Sequence, residues 1–187
     1  MKNSFLIILL VSAWTVCNSA SGEGANLFKL KGASLGMNES EIKKLLPTAV
    51  CDTNQSLPKA GIAIYEVSDD ENPPSKSTFT FLDGVLIRVK AIYSQKDLAK
   101  IGGFKTLTER LTEKLGTPNQ SNQLLGSVIG GKEQLGDFIW IFKSEDTLYE
   151  LKAELIDGKT SSTFYAGRST LCHEFQERRK NKAAVGF

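Results

Sequence analysis

The stretch STFTFLDGVLIRVKAIY, residues 77–93, decides the fold. Phe79 and Phe81 alternate with Thr78 and Thr80; Val85, Ile87, Val89 and Ala91 alternate with Arg88 and Lys90. A period of two places successive side chains on opposite faces of a strand. Asp83-Gly84 between the two runs is a turn signal, so the stretch reads as a β-hairpin. A two-residue turn would pair Phe79 with Arg88 and mix the faces, because a one-residue slip flips every side chain. A three-residue loop, Leu82-Asp83-Gly84, instead pairs Phe81 with Val85 and Phe79 with Ile87. Parity therefore predicts a type I turn with Gly84 left-handed in a G1 bulge. One face of the hairpin is then apolar and the other carries hydroxyls and cations.

Upstream, GASLGMNESEIKKLLP, residues 32–47, predicts a short helix. Asn38 is a good N-cap, and Glu41, three residues on, completes a capping box with Met37 and Ile42 as a hydrophobic staple. Glu39 and Glu41 sit at the positive end of the helix dipole, Lys43 and Lys44 near its negative end. Ile42, Leu45 and Leu46 share a face, and Pro47 ends the helix. Residues 48–60 read as a loop carrying Cys51, and Gly61–Ser68 as a strand. Asp69–Lys76, with two prolines, reads as a solvated hairpin tip. Its acidic cluster Asp69, Asp70, Glu71 lacks the alternate-position ligands of a calcium loop.

Downstream, Ser94 and Asp97 repeat the cap pattern, and Gly102-Gly103 breaks that helix. Phe104, Leu107, Leu111 and Leu115 line a second one, closed by Gly116 and Pro118. Asn119–Gln134 is polar and glycine-bearing and reads as a loop or ragged edge. Asp137–Lys143 is apolar on both faces, as a central strand requires. Thr147–Ile156 and Lys159–Arg168 flank Asp157-Gly158, where a two-residue turn pairs Leu151 with Phe164 and Tyr149 with Ala166. Residues 173–187 read as a short helix or a tail. The whole is α+β: an antiparallel sheet with helices packed on one face. Residues 27–93 and 94–172 each follow the order α-β-β-β, so the chain reads as a degenerate tandem of two units.

The chain has 187 residues and a formal net charge of +2, so it has no electrostatic footprint for nucleic acid. Residues 1–20 read as a signal peptide, with Lys2, the apolar run Phe5–Val16 and small residues around Ala20. A run this short does not span a bilayer, and no later one is long enough, which predicts a periplasmic or secreted protein. What remains is about 165 residues, the size of one domain. Val16 before Cys17 disfavours a lipid anchor at Cys17. Cys51 and Cys172 are then left in an oxidising compartment. A disulfide between them is expected, closing a loop of roughly 120 residues; the alternative is two separate buried thiols.

LGMNESEIKKLLP followed by antiparallel strands resembles the outer-membrane assembly lipoprotein family (SmpA/OmlA, BamE-like), and a tandem of such units resembles the β-lactamase inhibitory protein fold. The resemblance implies a helical pair on one face of an antiparallel sheet and a protein-binding module with no enzymatic activity. The partner is expected to be another envelope or secreted protein. Tyr65, Arg88 and Lys90 are the candidate binding residues. An inhibitor of a secreted enzyme is the alternative.

A hydrolase is less favoured. His173 is the only histidine, so a nucleophile–base pair would have to use it. A zinc site needs three or four ligands, and one His with two cysteines expected to be paired with each other does not supply them. Gly126–Lys132 has phosphate-loop spacing, but Glu133 stands where Ser or Thr would hold magnesium. No cofactor is expected. Glu150 and Glu154 lie about 13 Å apart along a strand, too far for a retaining glycosidase pair. Arg178, Arg179, Lys180 and Lys182 read as a solvated basic terminus.

Overall fold

The computed structural model describes residues 29–128, 131–143, 146–156 and 159–185. The expected signal peptide, Cys17 and the expected turn at Asp157-Gly158 lie outside them. Helices are α1 (Glu39–Leu45), α2 (Gln95–Ile101), α3 (Gly103–Leu115) and α4 (Ser169–Val185). Strands are β1 (Val50–Cys51), β2 (Ile62–Ser68), β3 (Lys76–Leu82), β4 (Val85–Tyr93), β5 (Gln120–Val128), β6 (Gly131–Phe142), β7 (Thr147–Ile156) and β8 (Lys159–Arg168). They form one antiparallel sheet in the order β1-β2-β3-β4-β8-β7-β6-β5. Each half is a sequential meander, and the two meanders join edge to edge through β4 and β8.

The caps fold as their residues dictate. Asn38 accepts from the Glu41 amide and Glu41 reaches back to the Asn38 amide; Ser94 and Asp97 do the same for α2. Gly102, with φ 93°, ends α2 and lets α3 start one residue on. Asn38→Ala should therefore cost about 1 kcal/mol, measured as a shift in urea midpoint at unchanged m-value. α1, α2 and α3 lie on one sheet face. Ile42, Leu98, Phe104, Leu107 and Leu111 pack there against Phe79, Phe81, Val89, Tyr149, Phe164 and Trp140 in one core that crosses both halves. Leu45, expected on the buried face of α1, is instead 41% exposed and rests over Gly32.

The central hairpin corrects the sequence reading. Its turn has two residues, Leu82 pairing with Val85, and both Asp83 (φ 50°) and Gly84 (φ 79°) are left-handed, as a type I′ turn requires. The parity conflict is resolved inside β4. The register shifts after Thr80, so that Phe81 pairs with Leu86, Thr80 with Arg88, and Phe79 with Val89 rather than Ile87. Ile87 is the extra residue of a β-bulge. It lets Leu86 enter the main core while Ile87 and Arg88 both face the other way. At β7–β8 the expected register holds, with Leu151 opposite Phe164 and Tyr149 opposite Ala166.

Three further differences stand out. Where Asn119–Gln134 reads as a loop or ragged edge, residues 120–128 and 131–134 are strand, in unbroken register from Gln120–Ile139 to Val128–Gly131, and they continue into the strand expected at 137–143. The phosphate-loop spacing therefore sits across a hairpin, without the helix it needs. Second, the helices are not confined to one face. α4 lies on the other, with Phe175 seated among Ile62, Ile64, Leu82 and Ile87. Arg178, read as part of a solvated terminus, clamps it: its guanidinium grips both Asp83 oxygens at 2.9 and 2.8 Å and the Ala60 carbonyl at 3.0 Å. Third, the expected Cys51–Cys172 disulfide is not formed; both thiols are free. Cys51 is on the edge strand β1, whereas Cys172 points its thiol at the Ile87 carbonyl of β4, 3.7 Å away. Three strand spacings separate β1 from β4, about 14 Å, where a disulfide needs Cα atoms within about 7 Å.

Candidate functional site

Alternation along eight strands leaves every second side chain on the face turned away from α1–α3. One cross-strand row crosses the full sheet in register: Val50, Glu66, Thr78, Lys90, Tyr165, Glu150, Ile139 and Gln120. Each of these residues is exposed or half-buried. The next row, Lys76, Ile92, Thr163, Lys152 and Asp137, is open to solvent in the same way. α4 lies to the other side, against β4, β8 and the Pro58–Ala60 turn. The second face is thus divided: helix over one part, open sheet over the rest.

The open part is a mixed surface. Glu66 pairs with Lys76 at 3.0 Å and Glu150 with Lys152 at 2.7 Å. Lys90 Nζ lies 5.6 Å from the centre of the Tyr165 ring, within cation–π range. Ile139 and Ile92 supply apolar area between these groups. Asp137 is the exception to this pairing. Its Oδ1 is buried without a hydrogen-bond partner among the described residues. Burial, with help from the Glu150 charge and against that of Lys152, raises its carboxyl above the ordinary range. A carboxylate oxygen left unpaired in such a setting is costly.

The three candidate residues part company. Lys90 lies on the open row. Arg88, one row away, is covered by α4; its guanidinium carbon sits 5.1 Å from the Phe175 ring centre. Tyr65 is on the opposite face and 7% exposed. Its hydroxyl donates to Glu39, and Lys43 lies over its ring at 5.0 Å while bonding Glu39 at 2.7 Å. Lys43 first, then Tyr65, hold the Glu39 carboxyl below its usual range. Tyr65 thus anchors α1 to the sheet. Tyr165, Glu150, Lys152, Ile139 and Asp137 were the residues missed. Their signal was the Glu150–Lys152 alternation, which reads equally well as an ordinary wet face.

His173 is exposed on α4, whose start is capped by the Asp146 carboxylate at 3.0 Å from the Thr170 amide. Among the described residues no three His, Cys, Asp or Glu side chains converge as a metal site, and no helix is long and apolar enough to cross a membrane. No family model, curated protein or solved structure matches the chain.

Proposed function

We propose that this chain is an exported, non-catalytic binding module of a bacterial cell envelope that holds another envelope or secreted protein against its open sheet face. The observation that carries the reading is the full-width row through Lys90, Tyr165, Glu150 and Ile139, together with the orphaned Asp137 oxygen beside it. An aromatic ring, aliphatic side chains and paired charges over a rigid sheet are the composition of a protein-binding patch. Export rests on the basic start and apolar run of residues 2–16, as a secretory signal requires. The likeness to the SmpA/OmlA family extends to a tandem of two units; in its favour are the mirrored strand order about the β4–β8 seam and the helix that precedes each meander.

The test is crosslinked capture from envelope extract with three proteins: the wild type, Lys90→Glu combined with Lys152→Glu, and Lys105→Glu on the helical side. The double reversal breaks the charge complementarity of the patch and should remove one specific partner, while Lys105→Glu retains it. Equal capture by all three would overturn the reading.

A further inference from the structure

On the helical side, away from the open face, a cleft of about 210 Å³ lies between α2, α3 and the loop after β2. Pro73, Ile101, Leu107 and Leu111 form its apolar walls and Tyr93 lines it between them. Tyr93 is 7% exposed and its side chain lines the cleft. Burial pushes the phenol up to about 12, and the nearby Asp97 charge adds to the rise. The hydroxyl therefore keeps its proton and waits as a donor. Arg110, Lys114 and Glu113 stand at the exposed mouth, two cations against one anion.

The Pro73 wall is fixed in place. Lys31 binds the Asp69 carboxylate at 2.9 Å, Lys100 binds the Asp70 and Glu71 carbonyls at 2.8 and 2.9 Å, and Asp97 holds the Ser75 hydroxyl at 2.6 Å. The acidic loop is thus a brace for the cleft, with Asp69 also accepting from the Glu71 and Asn72 amides of its own turn. A preformed site spends little binding energy on ordering itself. The volume is that of roughly seven water molecules, below the usual range for drug-sized ligands, so it selects a small molecule.

We propose that this cleft binds a small aromatic carboxylate bearing a polar atom at its far end: the ring between Pro73, Ile101 and Leu111, the carboxylate at Arg110 and Lys114, the far atom on the Tyr93 hydroxyl. The probe is 4-hydroxybenzoate, compared with benzoate, which lacks the far oxygen, and 4-hydroxybenzamide, which lacks the charge. Binding is read from amide shifts of Ile101, Leu107 and Leu111 in ¹H–¹⁵N spectra, which also report that each variant is folded. Tyr93→Phe removes the hydroxyl and keeps the ring. It should weaken 4-hydroxybenzoate about tenfold and leave benzoate unchanged. Arg110→Gln with Lys114→Gln should weaken both acids and spare the amide. Absence of saturable shifts up to about 10 mM, where even a millimolar Kd would register, overturns the proposal. So does an equal loss of both acids in Tyr93→Phe.

Discussion

Phe175→Ala should lower the free energy of unfolding by roughly 3–5 kcal/mol, a large share of the stability of an ordinary domain. Phe175 is the one fully buried side chain of α4 among the described residues, 1% exposed among Ile62, Ile64, Leu82 and Ile87. The guanidinium groups of Arg88 and Arg179 lie 5.1 and 5.6 Å from its ring centre, so the ring is also the partner of two cations. The remaining anchors of α4 are weaker: the half-buried Leu171 and Cys172, and the partly exposed Arg178 clamp on Asp83. A lone helix of this length is marginal in water. Truncation should therefore release α4 and wet four buried aliphatic side chains at once. Urea unfolding gives the energy, and far-ultraviolet circular dichroism the accompanying loss of helix before the main transition. A change below about 1 kcal/mol with unaltered helix content would mean that Phe175 is not what seats α4.

That same helix shows where sequence reading stops. The caps at Asn38 and Ser94, the break at Gly102 and the stripe Phe104–Leu107–Leu111–Leu115 were all legible, because each is a local signal whose partner lies within four residues. α4 was not. It docks through one aromatic and a cation, with no apolar stripe to give its period away, and the groove that receives it is assembled from β2, β3 and β4. The central hairpin failed in a more instructive way. The conflict between an Asp-Gly turn and the apolar phase was visible, and a longer loop was inferred from it. The chain keeps the tight turn and absorbs the phase error with the bulge at Ile87, a choice that only the neighbouring strands and Phe175 can reward. β5 and the first residues of β6 were missed at Asn119–Gln134 because a polar, glycine-bearing stretch carries no alternation to read, whereas the apolar run at Asp137–Lys143 was legible as the rest of β6. The disulfide was inferred from compartment and count, which say nothing of the three strand spacings between β1 and β4. The open face was half legible: Lys90 follows from the hairpin alone, but Tyr165, Glu150 and Ile139 join it only once β4 pairs with β8.

Asp97→Ala should cost about 3 kcal/mol, and Asp97→Asn noticeably less. Asp97 is 1% exposed and its Oδ2 accepts from four donors: the amide and hydroxyl of Ser94 at 2.8 Å each, and those of Ser75 at 3.2 and 2.6 Å. One carboxylate thus caps α2 and ties the loop after β2 to it. Burial alone would raise its pKa, but the bonds from Ser75 and Ser94 outweigh burial and leave it below the ordinary value. A carboxyl depressed in the folded state stabilises fully above its unfolded pKa, about 3.9, and loses that contribution as pH falls through the folded value. The stability gap between wild type and Asp97→Asn should therefore stay constant from neutral pH down to about 4, then narrow in acid. Other titrating carboxylates are common to both proteins and cancel. Asn keeps an acceptor and Ala keeps none, so only Ala should free the Ser75 amide. Hydrogen exchange there should quicken in Asp97→Ala ahead of global unfolding. The Pro73 wall would then lose its brace, and the cleft beside Tyr93 its fixed shape. If the gap instead widened in acid, the bonds to Ser75 and Ser94 would not be what holds the carboxylate ionised.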